Sequence, residues 1–167
     1  HLSIRRQRQM CIRDSNTVGI RESRRIRGVY TLTREDVVSG RSFDDSIGYG
    51  SFFIDIHGTS GPGMDKKTWR PPKDFRYQIP YRILIPKEMD NLLVAGRCAS
   101  CDHEALGSLR VMPQCGVMGQ AAGVASVLSL REGNSPRHID GKSLQQELRK
   151  QGCIVEESDI EEAHPPS

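Results

Sequence analysis

The sequence is poor in aromatic residues, which make up 5% of its 167 positions. It also has no apolar run near the roughly 18–20 residues that a helix needs to cross a bilayer. That excludes a helical membrane span and, with it, a membrane partner. No apolar stretch or small-residue cleavage site follows the basic start, so no secretory signal is readable. The first residue is His. A signal lost upstream would leave no trace, and the cytoplasm is the default location. No internal repeat is visible. Hydrophobic residues are 36% and charged residues 27%, a low apolar share for a compact domain but too patterned for a disordered chain.

A strong excess of one charge is also lacking. The formal net charge is +3, and much of it sits in His1–Ser15, where Arg5, Arg6, Arg8 and Arg13 cluster without helical or strand period. A basic arm of this kind can bind nucleic acid. A simpler origin exists. Gln9–Ser15 (QMCIRDS) is one reading frame of AGATGTGTATAAGAGACAG, which resembles the transposase mosaic end used to build sequencing libraries. Residues 1–15 are therefore set aside as an adapter translation, and the chain reads as a fragment cut upstream. Removing those four Arg and Asp14 leaves as many basic as acidic residues, and the electrostatic case for a nucleic-acid partner goes with them. Nothing in the sequence speaks to oligomeric state.

Cysteines are few: Cys11, inside the adapter segment, then Cys98, Cys101, Cys115 and Cys153. They do not form a secreted disulfide framework, so reduced thiols are expected. Cys98-Ala-Ser-Cys101 is a C-x-x-C. A zinc site calls for a second pair at suitable spacing, and only Cys115 and His103 lie nearby. A metal or redox-thiol module on Cys98, Cys101, Cys115 and His103 is one functional class to weigh. A non-catalytic interaction domain is another.

Local patterning outlines the elements. Ile26–Leu32 alternates and reads as a strand. Thr33 caps a short helix with Asp36 at its third position, and Gly40 ends it. Asp44-Asp45-Ser46 opens a turn or a second short helix. Ser51–His57 reads as another strand, and Gly58–Asp74 as an exposed loop or hairpin end. Tyr77–Pro86 reads as extended, because each Pro pushes its predecessor out of the helical region. Asn91–Gly96 (NLLVAG) has the look of a buried parallel strand. Pro113 stands at a first helical position, for a helix running to about Arg131 and ending near Gly133. Within it Gly116, Gly119 and Gly123 recur at spacings of three and four, a face expected to press against another backbone or a ligand. Asp140 caps a last helix, Gly141–Gln151, with Leu144 and Leu148 on one face. Glu156–Ser167 reads as a frayed acidic tail.

Chemistry concentrates in residues 91–123, NLLVAGRCASCDHEALGSLRVMPQCGVMGQAAG. A strand ends in Gly-Arg, a polar loop follows, and a helix begins with its free N–H groups pointing back toward the strand's carboxyl end. In open α/β sheets ligands sit at that end, and a helix N-terminus there favours an anionic group. Gly96 and Gly107 would let a ligand approach the backbone. His103, Glu104 and Arg110 project from the same loop. An ordinary βα connection would look much the same by spacing alone.

This segment resembles the C-terminal, FAD-contacting end of the FAD-dependent oxidoreductase family, in its form with a LLVAGR…HEALGS-R-MP-C…MG-AAG ending. Arg21–Gly58 (RESRRIRGVYTLTREDVVSGRSFDDSIGYGSFFIDIHG) is similar to the same family's RESRR…Y-L…DV-SGR-F-D-I…IDIH stretch. Together the two cover nearly all of residues 18–130. Cys98 and Cys101 are idiosyncratic against that pattern. The large departure is the opening G-x-G-x-x-G, which holds the FAD pyrophosphate in this family and does not occur here. Gly61-Pro62-Gly63 is too short to serve.

The resemblance implies a mixed α/β fragment. Residues 16–90 would be part of a β-rich substrate domain. Residues 91–133 would be the C-terminal part of an incomplete Rossmann-like FAD-binding domain, and 134–167 a terminal helix and acidic tail. It implies a flavin-dependent oxidoreductase that moves a hydride between a small organic substrate and FAD, with the cofactor doing the chemistry; the fragment itself is expected to be inactive. Gly96, Arg97, Gly107, Ser108, Met112, Pro113, Gly119, Gln120, Ala121, Ala122 and Gly123 would line the cofactor. His103, Arg110 and His57 are the substrate-side candidates, since His can pass a proton near neutral pH and Arg can hold an oxyanion. Bland roles stand beside these. His103 and Glu104 would pair with each other, Arg110 would anchor the loop to carbonyls, and His57 would be a strand-end residue. The run Arg21, Glu22, Arg24, Arg25 defaults to an ion-paired face, with Glu22 and Arg24 given some prospect of reaching the active site.

Overall fold

Local caps decide where the helices begin and end. The computed structural model describes residues 22–57 and 64–163. Residues 1–15, read above as adapter, Gly61-Pro62-Gly63 and residues 164–167 of the acidic tail lie outside them. Thr33 caps helix α1 (Arg34–Ser39), with the reciprocal Thr33–Asp36 box formed and Gly40 left-handed at φ 64°. Asp102 caps α2 (His103–Leu109) by accepting from Ala105 N at 2.6 Å. The long α3 (Met112–Glu132) carries Pro113 in its first turn and ends on Gly133 at φ 66°. Asp140 caps α4 (Gly141–Lys150) through Ser143 N at 2.9 Å. No single described helix is long and apolar enough to cross a membrane, although α2 and α3 taken together, bent by 91°, would be.

Asp36 does more than cap. It is buried and accepts from Thr33 N, Thr33 Oγ1, Tyr30 OH and Arg41 Nη1 at 2.8–3.0 Å. Burial alone would raise its carboxyl, but the hydrogen bonds from Thr33, Tyr30 and Arg41 outweigh it and hold it below the ordinary value. A depressed folded-state value contributes stability above the ordinary carboxylate range, and that contribution is lost as the pH falls below about 4. Asp36→Asn is therefore expected to cost about 1–3 kcal/mol at pH 7 and progressively less toward pH 3. Urea midpoints of both proteins at the two pH values check this; an unchanged gap would reject the assignment.

The sheet is smaller than local alternation suggests. Strand β1 (Ser46–Gly50) pairs antiparallel with β2 (Tyr77–Pro80), Tyr49 opposite Gln78 and Gly50 opposite Tyr77, with a register shift after Ser46. At that irregularity Gly48 takes φ 147°, and a Cβ there would stand 2.8 Å from Val117 Cγ1. Only glycine lets β1 lie this close to α3.

Three expected strands do not form among the described residues. Ile26–Leu32 makes only isolated bridges, Gly28 to Pro86 and Leu32 to Cys101. Its N–H groups go to turns instead, Val29 N to Ile85 O and Leu32 N to Ser100 O. Ser51–His57 makes the bridges Ile54–Trp69 and His57–Met64, two rungs of a hairpin around the loop expected there, and the strand itself lies just before, at Ser46–Gly50. Asn91–Gly96 is not a buried strand: Leu92 is 40% exposed, and the segment's tie to the core is Val94 N to Leu84 O at 2.8 Å. The apolar run is present, but no neighbouring strand among the described residues pairs with it. The sheet observed is therefore antiparallel, and the fold is a mixed α/β arrangement of five helices and two strands among the described residues.

Tyr77–Pro86 is extended only in part. Pro80 ends β2, and Tyr81–Leu84 coils into a 3₁₀ turn. Asp45 causes this from across the chain. Its carbonyl accepts from Tyr81 N at 2.8 Å and its carboxylate from Arg82 N, Nε and Nη2 at 2.9–3.0 Å. The acidic tail is also better ordered than expected. Residues Glu157–Ala163 form helix α5, nucleated by Asp159, which accepts from Val155 N and Glu156 N and pairs with Arg149. The core gathers Leu32, Val37, Ile54, Ile79, Leu106, Met118 and Leu144 between these elements.

Candidate functional site

Helices α2 and α3 meet at a 91° corner formed by Arg110 and Val111. Beside it lies a cleft of about 320 Å³ lined by Glu22, Asp55, Ile56, His57, His103, Gly107 and Arg110. The structure thus brings all three expected catalytic residues to one place, adding His57, distant in the chain, to His103 and Arg110 at the two ends of α2.

Each is held differently. His103 opens α2 and is half exposed; its Nδ1 lies 2.7 Å from Glu22 Oε2. It does not pair with Glu104. That carboxylate is taken by Lys67 at 2.9 Å and Arg34 at 3.0 Å, which hold it below its ordinary value, the Lys67 hydrogen bond foremost. Arg110 Nη2 donates to Asp55 O at 2.7 Å and lies 3.4 Å from Asp55 Oδ2. Part of its guanidinium is therefore spent as a carbonyl anchor, the bland role named for it. His57 Nε2 stands 3.3 Å from the same Asp55 carboxylate. Asp55 thus links two walls of the cleft. It was missed in the sequence because an Asp inside an apolar alternation carries no signal of its own.

The expected cofactor residues divide into two groups. Gly96 (φ 80°) and Arg97 open a 3₁₀ turn against the start of α3, where a Cβ on Gly96 would be 4.0 Å from Cys115 Sγ. Met112, Pro113, Gly119, Gln120 and Gly123 are exposed along α3, and Ala122 is half buried. Gln120 is partly committed, donating to Gln151 Oε1 at 3.1 Å. Two expectations are corrected. Ser108 is fully buried, with its hydroxyl on Phe52 O at 2.6 Å and Tyr77 OH at 2.9 Å. Ala121 is likewise fully buried in the core. Neither can line a cofactor. Gly107 serves packing: a Cβ there would be 3.1 Å from Asp55 O and 3.2 Å from Ile54 Cγ2. Its bare backbone admits Asp55 rather than a ligand, although it forms part of the cleft wall.

The glycine face of α3 is a further correction. A Cβ at Gly116, Gly119 or Gly123 would meet nothing within 4 Å, so the face does not press on another backbone among the described residues. It continues into Met112 and Leu130, 88% and 84% exposed. Two features at the head of α3 were not legible in sequence. Val111 gives it no side-chain cap, unlike α1, α2 and α4. Gln114, in its first turn, buries Oε1 without a hydrogen-bond partner among the described residues.

The thiols do not converge. Cys98 is exposed and Cys101 buried, with burial pushing the Cys101 thiol up to about 12. Cys115 points its Sγ at Arg110 O, 3.5 Å away. All four described cysteines are free, and among the described residues no three His, Cys, Asp or Glu side chains are grouped to hold a metal.

A cleft with carboxylate, imidazole and guanidinium groups in its wall, set against the start of a long, glycine-faced helix without a side-chain cap, is an arrangement suited to a large cofactor with a reacting end. The chain belongs to the FAD dependent oxidoreductase family, whose model matches residues 9–148; the match begins inside the segment read above as adapter. It is thus a flavoprotein oxidoreductase sequence, with FAD as the family's cofactor and a small molecule as its class of substrate. Comparisons with curated proteins and with solved structures gave no match.

Proposed function

We propose that this chain is the C-terminal part of an FAD-dependent oxidoreductase that moves a hydride between a small organic substrate and FAD. In this reading residues 16–90 belong to the substrate domain and 91–133 to the closing part of a Rossmann-like FAD-binding domain. The pyrophosphate-binding G-x-G-x-x-G would be supplied upstream. One observation carries the reading: Arg110 lines the cleft, and only Val111 separates it from Met112, the first residue of α3. The substrate candidates and the candidate cofactor face are therefore neighbours.

The residues fit the cofactor. Gly116, Gly119 and Gly123 leave one exposed face of α3 without side chains, with open space among the described residues where each Cβ would stand, so a flat group could approach the helix backbone there. The first turn of α3 offers N–H groups without a side-chain cap, suited to a carbonyl or developing anion, and Gln114 Oε1 is a buried acceptor in need of a donor. Gly96, Arg97, Met112, Pro113, Gly119 and Gly123 would hold the cofactor, with Gln120 and Ala122 at its margin. When bound, FAD supplies the two-electron acceptor or donor. The chain's own part is to orient the substrate against the Asp55–Arg110 wall and to move a proton. His103 is the proton carrier and His57 the alternate.

The test is the flavin-loaded protein, expressed from the reading frame extended upstream. Its bound flavin should bleach anaerobically with at least one of a panel of primary and secondary alcohols, 2-hydroxy acids and amines. Residues 16–167 alone should purify colourless. A stoichiometric yellow complex from that short chain would overturn the placement of the phosphate site upstream.

A further inference from the structure

We propose that Glu22 is the positioning residue for His103. Its carboxylate holds the imidazole with Nδ1 protonated, which leaves Nε2 as the atom that exchanges a proton with the substrate. This rests on the reading of His103 as the proton carrier.

The geometry supports this at each atom. Glu22 Oε2 lies 2.7 Å from His103 Nδ1, the length of a charge-assisted hydrogen bond. An ionised carboxylate has no proton to give, so Nδ1 must be the donor. Glu22 does remain ionised. Burial would raise its carboxyl, but hydrogen bonds from His103 and Arg25 outweigh that and keep it below the ordinary value. Arg25 Nη1 holds the other oxygen, Oε1, so the carboxylate is gripped from both sides. The segment behind it is pinned where Ile26 N donates to Cys98 O at 2.9 Å. The neighbouring carboxylate, Glu104, is taken up by Lys67 and Arg34 and does not compete. Among the described residues Nε2 has no hydrogen-bond partner. Both Glu22 and His103 stand in the wall of the cleft, half exposed, where an ion pair contributes little to stability. Orientation of the ring is the larger effect available to it. In substrate oxidation the carbon–hydrogen bond gives its electron pair and hydrogen to FAD, and the proton of the adjoining hydroxyl or amine goes to Nε2.

Two measurements test this. In protein labelled with ¹⁵N-histidine, with the His103 signals identified by their loss in His103→Ala, the parent should show the Nδ1–H form. Glu22→Leu should move the signals toward the Nε2–H form. A parent in the Nε2–H form, or signals unmoved by Glu22→Leu, would overturn the proposal. In the flavin-loaded protein, Glu22→Leu should slow reduction by the reactive member of the panel at least about tenfold, with FAD still bound. Because Glu22 acts only through His103, adding it to His103→Ala should slow the reaction no further. An equal further loss in that background would show that Glu22 acts by itself. Should Glu22→Leu fail to fold, Glu22→Asp, which withdraws the carboxylate by one methylene, carries both measurements. A parental rate in His103→Ala would instead sink the catalytic reading of His103, while the tautomer signals still judge the pair.

Discussion

Gly119→Leu is expected to weaken FAD binding about 5- to 150-fold while leaving the fold of this chain intact. Gly119 lies mid-helix in α3, with Gly116 and Gly123 about one turn to either side. Nothing lies within 4 Å of the Cβ position at any of the three. Among the described residues, therefore, the Cβ of a leucine meets no resistance. Leaving glycine for a good helix former should even favour the helix by roughly 1 kcal/mol. The loss must come from whatever rests on the glycine face. Overfilling a packed contact costs roughly 1–3 kcal/mol, about 5- to 150-fold in affinity. A flavin fluorescence titration beside a thermal melt separates the two effects. Parental FAD affinity with an unchanged melt would remove this face from the cofactor site.

His103→Ala should have the opposite signature: flavin retained, chemistry lost. The imidazole is half exposed, and its hydrogen bond among the described residues goes to Glu22. It stands in the wall of the cleft and is not itself part of the glycine face, so its removal should spare both fold and flavin spectrum. If it carries the proton, the first-order rate of flavin reduction by substrate should fall on the order of 10²-fold or more, read by anaerobic stopped flow. A parental rate would shift the role to His57, which stands in the same cleft on Asp55. Arg110 would then follow as substrate anchor, with part of its guanidinium already on the Asp55 carbonyl.

The contrast between these two sites shows how far sequence reaches. His57, His103 and Arg110 could be singled out because each is a reactive residue type at the edge of an apolar segment in a recognisable family pattern. Their convergence could not, because it depends on Asp55 approaching α2 over the bare backbone of Gly107. Gly119 was legible as part of a glycine face. What that face meets was not, and the expected backbone contact is absent among the described residues. Ser108 and Ala121 share the family pattern with true surface positions, and only packing separates them. Ser108 turns inward to Phe52 O and Tyr77 OH, and Ala121 faces the core.

The sequence by itself determined three of the five described helices, α1, α3 and α4, because a helix end with a clear cap or stop is settled within four residues; α2 stands where a polar loop was expected and α5 where a frayed tail was. Thr33 reaches Asp36, Asp140 reaches Ser143, and Gly40 and Gly133 turn left-handed where their own backbone demands it. It also determined the family, through motifs spread over most of the chain. Tertiary structure alone decided the strands and the cleft. A strand needs a partner, and the strand-like runs at 26–32, 51–57 and 91–96, the last a continuous apolar one, meet turns, single rungs or no described strand. Glu22 finds His103 from 81 positions away, and Asp45 coils Tyr81–Leu84 from 37. Contacts of that span leave no local pattern, since what selects them is the closing of the chain around its core.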